Sequence, residues 1–399
     1  MTHSSKENIE MQQKFEYGME CPVVFGPGSI SCVGERIKLM GGTRVFVVTG
    51  PNISRAGLID PALMTIGDAD LKYMMYNNVS PDPLDDACEA AAEAAAAFGT
   101  DCVLGIGGGS PQDVAKVVSV LLANPGKKAL DFSLSKGLVF PKRLPLIIAP
   151  TASGTGSEVS RIAVLSDHRT HAKDALFCSA DLAVVDPDLT MTTPPSITAA
   201  SGFDCLSHCL EASTAFNRNP FGRLIALHAM KLIVENLPKC YDNGGDREAR
   251  VNMAFASNLA GAAFNNTSVH IGHAIAHELG GVFGLAHGYC CAITGAEVAK
   301  HAVCADVELG FDMADAMGLQ LPPDASAEEL CRAIEEKLRG LYRHCGAKTL
   351  QEYDISREAA IACAEGAIEH NVFWNHGPSS MDVASYRDII GKMWDVAIF

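Results

Sequence analysis

The stretch Asp101-Cys-Val-Leu-Gly-Ile-Gly-Gly-Gly-Ser-Pro-Gln-Asp-Val-Ala-Lys116 decides the fold. Asp101 to Ile106 is a short apolar run that reads as a buried strand. Gly107, Gly108 and Gly109 end it. Ser110 followed by Pro111 is a good helix start, and a helical pattern then runs from Pro111 to Ala123. Glycines let the backbone come close to a ligand. The helix N-terminus offers free N–H groups and a positive dipole end to a phosphate. The spacing is neither the G-x-G-x-x-G fingerprint nor a Walker A loop. The same text also suits a tight turn that binds nothing, so the surrounding sequence has to decide.

On both sides the pattern repeats. Arg44 to Thr49, Leu144 to Ala149 and Leu182 to Asp186 read as further buried strands. Leu84 to Phe98 reads as a helix between them. Strand and helix in alternation predict an α/β region built on a parallel sheet. From about Ser196 the texture changes to long helical patterns: Ile197 to Ala215, Pro220 to Asn236, Arg247 to Phe264 and Ser326 to Cys345. The Pro-rich segment Asp186 to Pro195 separates the two textures. The expectation is an N-terminal α/β domain over residues 1–190 and an all-α C-terminal domain over 191–399, with a site in the cleft between them.

Composition narrows the function. A chain of 399 residues exceeds what one core usually carries, which favours two domains. A formal net charge of -16 argues against a nucleic-acid partner, which needs clustered Lys and Arg. No apolar run of membrane-spanning length occurs, and Met1 to Glu20 is polar with no signal-peptide core. Fourteen cysteines without a Cys-x-x-Cys pair read as free thiols in a reducing cytoplasm, most of them filling cores.

A second small-residue loop, Thr151-Ala-Ser-Gly-Thr-Gly-Ser-Glu158, follows the strand ending at Ala149. Its hydroxyls suit a nucleotide. Two such loops at the carboxyl ends of neighbouring strands mark the usual ligand position in open α/β sheets. The helical half supplies a different chemistry. Asp204 and His208 are four apart, so one helix face presents both. His273 and His277 are also four apart, and His287 follows the turn after them. His-x-x-x-His arises often by chance; it gains specificity beside Asp204, His208 and His287. One carboxylate and three imidazoles with an open position suit a catalytic divalent metal. His270, one turn before His273, reads as structural.

Taken together and in this order, these motifs resemble the iron-containing (group III) alcohol dehydrogenase family, from Phe25-Gly-Pro-Gly-Ser29 to about Leu285-Ala-His-Gly288. The resemblance implies a Rossmann-like dinucleotide-binding domain and a helical metal-binding domain. It implies that Asp204, His208, His273 and His287 hold the metal, expected as Fe²⁺, with Zn²⁺ or Mn²⁺ as alternatives. It places Gly50, Gly107, Gly108, Gly109, Ser110, Asp113, Thr151, Ser153, Thr155 and Lys173 at an NAD(P)H cofactor. It gives His277 a place beside metal and nicotinamide, so His277 and Asp113 are the catalytic candidates. The implied reaction is hydride transfer between NAD(P)H and a small aldehyde or primary alcohol, in a homodimer or larger homo-oligomer.

Three departures from the family text carry information. Gly50 stands where NAD-using members often have Asp; without that carboxylate the 2′-phosphate of NADPH is not repelled, and Ser54 or Arg55 is available to meet it. His277-Glu-Leu-Gly-Gly281 resembles the text of metal-free maleylacetate reductases, and Asn375-His-Gly-Pro378 replaces Asn-Pro-Arg near the substrate pocket. These two motivate an alternative, reduction of a carboxylated or sulfonated aldehyde or ketone. A lyase resembling dehydroquinate synthase shares the architecture and ranks third.

Overall fold

The computed structural model describes residues 14–170 and 172–396. Six strands form one parallel sheet: β1 (Val23–Phe25), β2 (Arg44–Thr49), β3 (Lys72–Tyr76), β4 (Cys102–Gly107), β5 (Leu146–Pro150) and β8 (Leu182–Val185), in the order β1-β8-β5-β4-β2-β3. The remaining two, β6 (Ile162–Ser166) and β7 (Lys173–Phe177), make a separate antiparallel hairpin.

The central strands are buried on both faces, which is why they read as unbroken apolar runs. Phe46, Val48, Val103, Leu146 and Ile148 point into one core. The alternate residues Val45, Val47, Leu104, Ile106 and Ile147 point into the other. The expected strands at 44–49, 101–106, 144–149 and 182–186 are all present, with ends shifted by no more than two residues. The structure adds β1, β3 and the β6–β7 hairpin, which the sequence patterns did not indicate.

The chain after β8 is helical. Pro195–Ala212, Pro220–Asp242, Arg247–Asn265, Ile271–Phe283 and His287–Ala305 pack around one large apolar core. The side chains of Asn219 and Asp246 accept backbone N–H bonds from Gly222 and Ala249, which caps the second and third of these helices. Helix Pro195–Ala212 is buried almost all round, so its polar residues Asp204, His208 and Glu211 lie inside the protein. Helix Ile271–Phe283 stops at Gly284, whose φ of 68° is the left-handed cap that turns the chain back toward His287. All fourteen cysteines are free. Among the described residues no helix is long and apolar enough to cross a membrane.

Candidate active site

β4 and β5 are paired neighbours, with Gly107 opposite Pro150, so the glycine loop and the threonine loop leave the sheet side by side. The amide of Thr151 donates to the carbonyl of Gly107 at 3.0 Å, tying one loop to the other. Helix Gly109–Ala123 begins directly at the glycine turn. Gly107 packs on the Pro111 ring and Gly109 on the Thr155 methyl, whereas the position a Cβ would take at Gly108 is open. Ser110, Ser153 and Thr155 are half-buried around this opening, and Thr151 is buried.

Lys116 and Asp113 serve the same loops from below. The Lys116 ammonium is fully buried and donates to Ser157 Oγ at 2.9 Å, to the Ser160 carbonyl at 3.0 Å and to the Ile162 carbonyl at 2.6 Å. Ser157 Oγ in turn donates to Asp113 Oδ1 at 2.8 Å. Burial raises the Asp113 carboxyl above its ordinary range, against the pull of Lys116 and Ser157. Lys173 opens β7, and its Nζ lies 2.6 Å from Asp82 Oδ1. Gly50 starts the short helix Pro51–Arg55 after β2, with only ordinary contacts, 3.8 Å and beyond, around its missing Cβ. Beside it, Asn77 Nδ2 donates to Ser54 Oγ at 3.4 Å, while Arg55 bonds Asn52 Oδ1 at 2.7 Å.

The threonine loop meets the helical half at close range. A Cβ on Gly154 would fall 2.8 Å from Ser201, so glycine alone lets this loop lie against the helix that carries Asp204 one turn later. There the expected metal residues converge. His287 Nε2 stands 3.3 Å from Asp204 Oδ1, His273 Nε2 3.6 Å and His208 Nε2 3.7 Å. One further donor joins them: Cys291 Sγ lies 3.8 Å from Asp204 Oδ1 and 3.5 Å from His287 Nε2. Donor atoms of Asp204, His273, His287 and Cys291 all lie within 4.8 Å of one another, with His208 just outside that group, stacked between Phe264 and the His273 ring.

These residues fit a divalent metal. His273 Nε2 is buried, faces Asp204 and has no hydrogen-bond partner, an arrangement that costs stability unless a cation takes the lone pair. The other ring nitrogen is already committed. His273 Nδ1 lies 3.2 Å from Glu211 Oε1, which also accepts the His273 amide at 2.9 Å, while Glu211 Oε2 accepts the amide of His270. Burial opposes charge on Glu211, but His270, His273 and these bonds hold its carboxyl down at about 2. Burial likewise opposes charge on Asp204, and its three histidine neighbours overcome it. A carboxylate behind a ligating histidine fixes the tautomer and aims the free nitrogen. Gly272 makes room for Glu211, since a Cβ there would fall 2.1 Å from Oε1.

His277 stands beside this group, its ring centroid 4.9 Å from that of His287. Its Nδ1 lies 2.7 Å from Asn371 Nδ2. The Asn371 oxygen accepts the Phe373 amide at 2.9 Å, which orients the side-chain NH₂ toward the imidazole. Nδ1 is therefore the acceptor, and the neutral ring carries its proton on Nε2. Burial, then His287, His273 and Lys173, push His277 well below the ordinary imidazole range. His270 Nε2 lies 2.8 Å from Thr214 Oγ1.

Glu211, Cys291 and Asn371 were not singled out by sequence reasoning. The first two left a signal. Glu211 lies seven residues after Asp204, and Cys291 four after His287, each two turns or one turn along the same helix face. Asn371 left none, because its partner is 94 residues away.

Comparison with known proteins identifies the family of the chain. The profile for "Iron-containing alcohol dehydrogenase" matches residues 22–187, and that for "Fe-containing alcohol dehydrogenase family, C-terminal" matches 198–394. Long-chain-alcohol dehydrogenase 1 of Geobacillus thermodenitrificans is 34% identical over 368 residues, 91% of this chain and 93% of that one. Sulfoacetaldehyde reductase of Bilophila wadsworthia is 32% identical over 369 residues, 89% and 93% of the two chains. The crystal structure of a 1,3-propanediol oxidoreductase superposes with a TM-score of 0.90 at 28% identity, covering 96% of this chain and all of that one.

Proposed function

The chain belongs to the iron-containing alcohol dehydrogenase family, and on that premise we propose that it interconverts small aldehydes and primary alcohols with NAD(P)H. The observation that carries this is the unpartnered, buried Nε2 of His273, 3.6 Å from Asp204, which itself lies one helical turn after Ser201, the residue on which the threonine loop rests. Asp204, His208, His273 and His287 would hold the metal. Gly50, Gly107, Gly108, Gly109, Ser110, Asp113, Thr151, Ser153, Thr155 and Lys173 would receive the dinucleotide. When bound, the metal supplies Lewis acidity and the nicotinamide supplies the hydride.

The protein's part is positioning and proton handling. The glycine turn and its helix N-terminus place free N–H groups where a pyrophosphate binds. Lys116, Ser157 and Asp113 hold both loops in one shape. His277 presents an Nε2–H because Asn371 occupies Nδ1; the neutral ring donates that hydrogen bond to the substrate oxygen and holds it, while the proton that completes aldehyde reduction comes from solvent. Asp113 acts through the loop geometry.

Three finer points belong to the same proposal. NADPH is accepted, because Gly50 places no carboxylate at the adenosine ribose. Zn²⁺ or Mn²⁺ is able to replace Fe²⁺ in this donor set. The chain works in the cytoplasm, supported by its free cysteines, as a homo-oligomer, with residues 1–190 as dinucleotide domain and 191–399 as metal domain.

The test is aldehyde-dependent oxidation of NADH and NADPH by protein reloaded with Fe²⁺ without oxygen, with a chelated control. Neutral and anionic aldehydes of equal length form the panel, since one relative is named for sulfoacetaldehyde. Turnover that chelation removes is expected. No oxidation with any aldehyde would count against the proposal.

A further inference from the structure

Cys291 occupies a place in the metal cluster that the four-ligand pattern does not assign to it. It lies on helix His287–Ala305, one turn after His287, so both side chains leave the same face. It is fully buried. Its Sγ stands 3.5 Å from His287 Nε2 and 3.8 Å from Asp204 Oδ1. A tetrahedral metal with bonds of about 2.0 to 2.3 Å sets neighbouring donors about 3.3 to 3.8 Å apart. The spacings of His287, His273, His208 and Cys291 from Asp204, 3.3, 3.6, 3.7 and 3.8 Å, all fall in that range, and it is the donors of Asp204, His273, His287 and Cys291 that lie within 4.8 Å of one another. The second, independent sign is the unpartnered His273 Nε2, buried and aimed at the same carboxylate.

We propose that Cys291 supplies a thiolate to the metal at this centre, beside Asp204, His273 and His287 and in the place that the four-ligand pattern gives to His208. The inference rests on the metal-centre reading above and extends it. On coordination the Sγ–H bond breaks, its proton leaves to solvent, and the electron pair forms the Sγ–metal bond. No oxidant or reductant is needed. A sulfur donor makes the centre softer than one carboxylate and three imidazoles, which favours Zn²⁺ over Mn²⁺.

The experiment uses the full chain loaded with Co²⁺ or Zn²⁺, with metal content measured alongside. The Co²⁺ protein is expected to show a thiolate-to-cobalt charge-transfer band in the near ultraviolet. That band disappears in Cys291→Ser and persists in Cys290→Ser. Zn²⁺ affinity of Cys291→Ser is expected to fall by at least the roughly 10-fold that loss of an outer partner costs. X-ray absorption at the zinc edge of the unaltered protein needs no variant and is expected to show sulfur at about 2.3 Å. One equivalent of metal with no sulfur signal in either measurement would overturn the Cys291 assignment and leave the metal centre standing. Failure to bind metal at all would overturn both.

Discussion

Glu211 and His273 are joined twice: Glu211 Oε1 accepts the backbone amide of His273 at 2.9 Å and faces its Nδ1 at 3.2 Å. One carboxylate thus fixes the histidine's backbone and its ring together. The free Nε2 is left with a single direction, toward Asp204.

Replacing Glu211 with Gln keeps the volume and removes the charge. One buried amide hydrogen must then face another, because Glu211 accepts bonds from both His270 and His273. Metal affinity is expected to fall about 10- to 100-fold. Competition against a chelator measures this. Unchanged affinity would show that Glu211 does not tune the centre.

Asn371 governs which nitrogen of His277 carries the proton. Asn371→Leu is expected to lower kcat by about 10- to 100-fold, less than the 10²- to 10⁴-fold ordinarily at stake in acid–base catalysis. KM and metal content stay near their original values. His277→Ala should lower kcat further, also without loss of metal, and adding Asn371→Leu to it should cost little more. Additive losses in the double variant would mean that the two residues act independently. Equal loss of metal and turnover in His277→Ala would make His277 a ligand instead.

Much of this site was legible before any coordinates. The spacing of Asp204 and His208 was readable because a helix with a 3.6-residue period brings i and i+4 together. Strands β2, β4, β5 and β8 stood out because burial on both faces makes them continuously apolar. β1 spans only three residues, and β3 is mostly exposed, so neither carries that signature. β6 and β7 are short and partly exposed, and the pairing of Lys173 with Asp82, 91 residues away, leaves no local pattern. Asn371 is reached only through tertiary packing.

Lys116 tests the loop scaffold. Lys116→Met retains the stem and removes the ammonium, leaving the Ser160 and Ile162 carbonyls and the Asp113 chain without their buried donor. A loss of about 3 to 5 kcal/mol in urea unfolding is expected. A change below 1 kcal/mol would mean water enters and replaces the ammonium.

Gly50 tests cofactor choice. An aspartate fits, since nothing lies closer than 3.8 Å to its Cβ position. Gly50→Asp is expected to weaken NADPH at least tenfold, by about 1.4 kcal/mol, while NADH binding holds or improves. Fluorescence titration of both cofactors measures the change. Equal effects on the two would place the 2′-phosphate elsewhere.

The central claim, metal-dependent hydride transfer, is tested most directly with NADH carrying deuterium at the transferable C4 position. Metal-loaded protein, the labelled cofactor and a small aldehyde are combined, and the alcohol is read by mass spectrometry. One deuterium on the carbinol carbon, absent after chelation and restored by Fe²⁺, is the expected result. Transfer that persists without metal, or cofactor that remains unoxidised with every aldehyde, would contradict it.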